Sequence, residues 1–390
     1  MKKAQCYICD SSNLSEVFTL RNYPAYIVPI PKNISKTVVS DSLTLSSCSN
    51  CGHMQVCNPD REVQRLIYEE YYSHYVVDSS ESFIPHYREP FIDFFKSLQQ
   101  KSLLSNKNTL LEIGCSSGKQ RDFFKSFVSS YTGIDPSERI ELAMEEFPQE
   151  NFIKGYFPQA LPGLFFDVIV SQFNLEHIKD VKGFLGVIHT KLNEDGLVVL
   201  QVPDVEDFVK SKQPNFMAHE HIQYFTKKSL DNLLNVTGFE VVEWGKSGPS
   251  LIVAGKKSEP ISTNFAHGLE EALSKTKNQE KLFYNQPTLI PEKVIYYGVG
   301  PQLYWLLKDK KDISRAMIID DNTKYHGQAL PYYGNEIIAP SLEVVKKCNE
   351  IVLSLNRIYH DAVIEKLKLF DVPLVIHKIG NEGVWEKVQL

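Results

Sequence analysis

The stretch Leu110-Leu111-Glu112-Ile113-Gly114-Cys115-Ser116-Ser117-Gly118 runs from an apolar strand through a two-glycine turn toward a helix. Glycine allows such a turn to tighten and lets the backbone approach a ligand closely. Gly133-Ile134-Asp135-Pro136 ends the next apolar stretch, with Asp135 placed 21 residues after Gly114. An acidic residue at that distance, at the tip of a second strand, is where a ribose diol is held. The spacing also excludes two ligand classes. A dinucleotide fingerprint needs G-x-G-x-x-G, and a P-loop needs Gly-Lys-Ser/Thr; neither is present in this loop.

Strands alternate with helices on either side of this turn. Strands are expected at 109–113, 131–135, 151–154, 166–171 and 196–202, with a helix before them over 86–104 whose Phe91, Phe94, Phe95 and Leu98 share one face. This alternation implies an α/β fold with a parallel sheet covered on both faces. The segments 239–244 and 250–254 read as a hairpin closing the sheet edge. A polar run follows, with a linking helix expected over 269–282. A second, smaller α/β unit is then expected: strands at 293–297, 316–320, 350–355 and 373–377, and helices at 302–307 and 359–369. Gly298-Val299-Gly300 opens it, but Leu303 stands where a third glycine would complete a dinucleotide loop. On its residues alone this unit reads as a support domain with a tight strand–helix turn.

The chain of 390 residues is 43% hydrophobic and 23% charged, with a formal net charge of −6. That is globular usage, enough for two to four domains at roughly 100–200 residues each. No apolar run approaches the ~20 residues of a membrane span. The start, MKKAQCYICD, has no apolar core after its lysines. The acidic balance argues against bulk nucleic-acid or anionic-membrane binding. The expectation is a cytoplasmic protein with no nucleic-acid and no membrane partner, as a monomer or homodimer.

Of the seven cysteines, Cys6–Cys9 and Cys48–Cys51 form two C-x-x-C knuckles. Two such pairs suit the tetrahedral four-thiolate geometry of structural zinc. Redox pairing is the rival, and neither knuckle opens a βαβ unit. His53 and Cys57 are spare ligands. A closed four-cysteine site folds its segment and leaves no position for substrate.

The pattern Glu112-x-Gly114-x-x-x-Gly118, with Asp135 ending the second strand, resembles the class I methyltransferases that use S-adenosylmethionine. Phe152-Ile153-Lys154-Gly155-Tyr156 sits where such enzymes pass the adenine. Ser171-Gln172-Phe173-Asn174-Leu175-Glu176-His177-Ile178 sits where they hold the methionine end. The complete layout resembles the sugar C-methyltransferase family, which acts on nucleotide-linked keto-deoxysugars. Besides the paired cysteines, the Tyr71–Ser82 segment, the Ala218-His219-Glu220-His221 cluster with Tyr224-Phe225, and Asp320 with His326-Gly327-Gln328 are similar to that family.

The resemblance implies a zinc-binding domain at 1–70, a Rossmann-like methyltransferase domain at 71–256 and a C-terminal Rossmann-like domain at 257–390. It implies S-adenosylmethionine as cofactor, held by Glu112, Gly114, Cys115, Gly118, Asp135, Gly155, Tyr156, Gln172 and Asn174, and structural Zn2+ on Cys6, Cys9, Cys48 and Cys51. The substrate partner is a nucleotide-sugar.

Methylating a carbon beside a ketone requires a base near pKa 7 and a donor for the enolate oxygen. The resemblance assigns His221 as base, Glu220 as its orienting or substrate-binding partner, Tyr75 as a donor to the sugar and His219 as a secondary candidate. The cluster is not the zinc-protease H-E-x-x-H, because Gln223 occupies the second histidine position. In an extended segment His219 and His221 would share a face opposite Glu220; a polar loop before a helix starting near Thr226 is the plainer alternative. One departure matters: the family pattern has tyrosine where this chain has Ala218. Sugar O- or N-methylation, which needs no enolate, therefore stands beside C-methylation. A non-catalytic zinc-stabilised nucleotide-sugar-binding protein is the third reading, and a reductase using the C-terminal unit the weakest.

Overall fold

The computed structural model describes residues 4–71, 84–214, 217–261, 294–308, 310, 313–380 and 383–390, with the backbone alone over 84–88. Tyr75, the rest of the tyrosine- and serine-rich segment beyond Tyr71, and the linking helix expected over 269–282 lie outside those residues.

Seven strands form the central sheet, in the order Phe239–Ser247, Ser250–Lys257, Leu192–Pro203, Phe166–Gln172, Thr109–Ile113, Ser130–Asp135, Asn151–Lys154. Ser250–Lys257 pairs antiparallel with both its neighbours, and the pairs from Leu192–Pro203 to the far edge are parallel. The expected closing hairpin is thus at the sheet edge. Thr109–Ile113 lies in the middle, where the strand order reverses, so the glycine turn opens at the crevice where open α/β sheets bind ligands. The Ile84–Gln100 helix covers one face: Phe91, Phe94, Phe95 and Leu98 pack with Phe123, Phe124 and Phe127 against Leu110, Val168 and Val199.

A smaller sheet of six strands carries the C-terminal unit, in the order Ile337–Ile338, Met317–Ile319, Ile295–Tyr297, Glu350–Leu353, Val375–Ile379, Trp385–Gln389. It is parallel except for the last strand. Asp320, after the second strand in chain order, accepts from the Val299 amide of the glycine turn at 2.8 Å and from the Asn322 amide at 2.8 Å.

The N-terminal sheet has an unexpected composition. Leu14–Pro24, Ser40–Cys48 and Met54–Val56 are antiparallel, and the fourth strand is Gln223–Tyr224, from the far end of the methyltransferase segment. A boundary near residue 70 therefore separates the chain but not the sheet. Two cores join the units. Phe18, Leu20, Tyr23 and Leu45 pack with Leu303, Tyr304 and Trp305 of the C-terminal unit. Cys6, Ile8, Cys48 and Cys51 pack into the cluster containing Leu111, Ile113 and Phe225. Ile30 and Ala329 exchange backbone hydrogen bonds.

Candidate active site

The glycine turn is built as a left-handed kink. Gly114 has φ +81°, Ser116 +49° and Gly118 +67°. Among the described residues, a Cβ on Gly114 would meet only Asn174 Cγ, at 4.0 Å. That leaves an open cradle of backbone, which suits a bound S-adenosylmethionine. Gly118 serves packing instead, because a methyl there would collide with the Phe152 ring and the Ala143 side chain. Cys115 directs its side chain into the aromatic core beside Gly133. Burial and the Glu112 carboxyl push its thiol up.

Asp135 ends its strand as expected. One carboxylate oxygen accepts from the Ser116 amide at 2.9 Å, the other from the Ser137 amide at 2.8 Å and hydroxyl at 2.6 Å. It thereby locks the glycine turn to the second strand. Glu112 sits under the turn, buried, and accepts from Tyr131 Oη at 2.5 Å. Burial pushes its carboxyl up to about 7, against the pull of that hydrogen bond. Gly155 and Tyr156 follow the third strand; Tyr156 is exposed and lines an open groove of about 590 Å3 with Phe157, Gln159 and Ala160.

The strand Phe166–Gln172 ends in a strained residue, Phe173 at φ +48°. Non-glycine residues in that region cluster at functional sites. Gln172 donates to Gln201 Oε1 at 2.7 Å, and Asn174 to Ser171 Oγ at 3.2 Å. The chain then makes one 3-10 turn, Leu175–His177.

Above that turn hangs the loop 217–224. It is not extended: the His221 amide bonds the Ala218 carbonyl at 3.1 Å, so the face alternation expected of an extended segment does not form. His219 turns away from Glu220 and His221. Its Nε2 bonds the Tyr23 carbonyl at 3.2 Å, and its own carbonyl accepts from Gln64. His221 instead meets His177, with ring centroids 5.0 Å apart, and Tyr224 at 6.3 Å. His177 Nδ1 donates to the Glu220 carbonyl at 3.1 Å, and the Ile222 amide to the Glu176 carbonyl at 2.8 Å. Two loops that are distant in sequence are thereby knitted into one wall.

Glu176, His177 and Tyr68 belong with this wall; the first two were expected only as part of the stretch that holds the methionine end, and Tyr68 carried no expected role. The Glu-His pair directly after the fourth strand was the available signal for the first two. Burial pushes the Glu176 carboxyl up to about 8 and the Glu220 carboxyl up to about 7. His177 is held down to about 3, first by burial and then by His221. Tyr68, about half exposed on the Leu66–Tyr71 π-turn, has its phenol pushed up by the partial burial of its hydroxyl and, to a smaller extent, by the Glu220 and Glu176 carboxyls. Ala218 is buried, and its carbonyl accepts from Tyr224 Oη at 3.4 Å.

The four knuckle cysteines converge as spaced. Cys6 and Cys51 sulfurs lie 3.5 Å apart, as do those of Cys9 and Cys48, and all four lie within 4.8 Å of one another. A tetrahedral ion with Zn–S bonds of about 2.3 Å spaces sulfurs by roughly 3.8 Å, so the donor set fits one such ion. Hydrogen bonds from Cys51 and Cys6 hold the Cys48 thiol far below its ordinary value. His53 and Cys57 are outside the set; His53 Nε2 bonds Gln223 Oε1 at 2.7 Å.

Comparison with known sequences matches residues 84–244 to the family described as "Methyltransferase domain". Those residues form a class I S-adenosylmethionine-dependent methyltransferase domain. The chain is also similar to the C-methyltransferase NovU of Streptomyces niveus, 23% identical over 174 residues. That match covers 43% of this chain and 40% of the relative's own length. Among solved structures, a S-adenosylmethionine-dependent methyltransferase from Clostridium acetobutylicum is 11% identical, with TM-score 0.39, covering 49% of this chain and 99% of the other. DesVI of Streptomyces venezuelae is 15% identical, with TM-score 0.37, covering 45% of this chain and 96% of the other. Among the described residues, no helix is long and apolar enough to cross a membrane.

Proposed function

We propose that the protein methylates a nucleotide-linked keto-deoxysugar at carbon, using S-adenosylmethionine. The observation that carries this reading is the wall formed by the Asn174–His177 turn and the 217–224 loop, which sets the His221 ring 5.0 Å from the His177 ring, on the same short turn as Asn174, the residue that faces Gly114. S-adenosylmethionine, when bound, supplies an electrophilic methyl group. Gly114, Asp135, Gly155, Tyr156, Gln172 and Asn174 hold it, and Glu112 and Gly118 shape the turn from below. His221 would take the proton from the carbon beside the ketone, and that carbon would gain its new bond to the methyl group as the methyl–sulfur bond breaks, the bonding pair staying on sulfur to leave S-adenosylhomocysteine. Glu220 orients His221 or the sugar, and Tyr75 or Tyr68 donates to the enolate oxygen. Zn2+ on the four cysteines has a folding role. The C-terminal unit faces the nucleotide.

The similarity to a C-methyltransferase supports carbon as acceptor. Ala218 supports a second reading, O- or N-methylation, because the position lacks the phenol expected for enolate chemistry. One experiment separates them: incubating the protein with a nucleotide-sugar extract and methyl-deuterated S-adenosylmethionine, then fragmenting the products by mass spectrometry. A label on carbon is expected. A label on oxygen or nitrogen favours the second reading, and donor binding without any labelled nucleotide-sugar overturns both.

A further inference from the structure

Three side chains in the wall have a geometry that base catalysis does not require. One oxygen or nitrogen from each of Glu176, His177 and His221 lies within 4.8 Å of the other two. Glu176 is only 2% exposed, and among the described residues its Oε2 has no hydrogen-bond partner. A carboxyl oxygen buried without a partner has given up its water and gained nothing in return. The Glu176 backbone is fixed independently by the Ile222 amide, so the carboxyl is held where it is. His177 donates Nδ1–H to the Glu220 carbonyl, with the Phe173 backbone a second partner of the ring, and the neutral imidazole keeps one nitrogen with a lone pair. Fixing one ring nitrogen on a backbone carbonyl is how metal-binding imidazoles are oriented.

We propose that Glu176, His177 and His221 form a site for one divalent transition-metal ion, with its remaining position open toward the acceptor. Two imidazoles and a carboxylate select the zinc, cobalt and nickel class over magnesium or calcium. An ion with bonds of about 2.0–2.1 Å spaces its ligand atoms by roughly 3.3 Å, so small side-chain rotations close the set. The site is separate from the four cysteines in both position and donor type. Binding does not depend on the proposed reaction. Its consequence does: an ion here occupies the His221 lone pair and stops proton abstraction, so the ion is an inhibitor of carbon methylation.

The test is a Co2+ titration of the full chain whose four-cysteine site is already filled with Zn2+, read by absorption. Weak visible bands saturating at one equivalent are expected, without the near-ultraviolet thiolate charge-transfer bands that exchange into the cysteine site would produce. Glu176→Gln is expected to weaken Co2+ at least about tenfold. His221→Ala, at a half-buried position, is expected to do the same and serves if Glu176→Gln does not fold. Absence of saturable visible bands, or bands unchanged in a folded variant, overturns the site. Calorimetry with S-adenosylhomocysteine is run on the same protein: normal binding there with no Co2+ bands removes the metal site and leaves the methyltransferase reading standing.

Discussion

Replacing Gly114 by alanine forces a side chain into φ +81°, a strain of about 1–2 kcal/mol, and puts a methyl into the cradle beside Asn174. Affinity for S-adenosylhomocysteine is expected to fall about tenfold or more, measured by calorimetry, with a smaller change in stability. Gly118→Ala acts in the opposite proportion. Its methyl meets Phe152 and Ala143, and such overpacking destabilises by about 1–3 kcal/mol, which thermal unfolding without ligand would register. Glu112 gives a pH signature. Its folded carboxyl titrates near 7, above the ordinary 4.5, so the fold favours the protonated form. That contribution is complete below about pH 4.5 and is lost as pH rises through 7, on the order of 3 kcal/mol. Glu112→Gln is therefore expected to flatten part of the fall in melting temperature between pH 5 and 8; an unchanged slope would contradict the assignment. His221→Ala is expected to abolish methyl transfer while S-adenosylhomocysteine still binds.

At the scale of elements, the cysteine knuckles and the 217–224 loop are mechanically one piece. Met54–Val56 begins three residues after Cys51 and pairs with Gln223–Tyr224; Tyr23 Oη donates to the Met217 carbonyl at 2.9 Å. Stripping the metal proposed on the four cysteines with a chelator, or making Cys51→Ser, is expected to lower the melting temperature. It is also expected to reduce methyl transfer more than S-adenosylhomocysteine binding, because the loop is disturbed and the glycine turn is not. Equal losses in both would mean global unfolding. What was legible in the sequence follows the same division. The strands Thr109–Ile113 and Asn151–Lys154 were readable residue for residue, since apolar runs bounded by turn residues give a clear period. Gln223–Tyr224 and Ile337–Ile338 were not, because two residues carry no period at all. Trp385–Gln389 is mostly exposed, so it has no apolar face to read. The candidate site divides likewise. Local features such as Asp135 and the knuckles were visible in spacing, whereas the meeting of His177 with His221 depends on two loops 44 residues apart.

For the whole molecule, the shared core is decisive. Leu303, Tyr304 and Trp305 of the C-terminal unit complete the cluster that buries Phe18, Leu20 and Leu45. A chain ending at Lys257 is expected to expose that apolar face and aggregate, as judged by light scattering, although its central sheet is complete. A soluble, cooperative melt from such a fragment would show that the units are independent.

The borrowed strand also governs how the protein is made. A ribosome releases Met54–Val56 roughly 170 residues before its partner Gln223–Tyr224. At 5–20 residues per second, the growing chain carries an unpaired sheet edge for about 10–30 s. Metal capture by the knuckles can begin in that interval, but the sheet beside them cannot be finished. During synthesis this edge is the natural target for a holding chaperone, and in a crowded polysome it is the place where neighbouring nascent chains would pair by mistake.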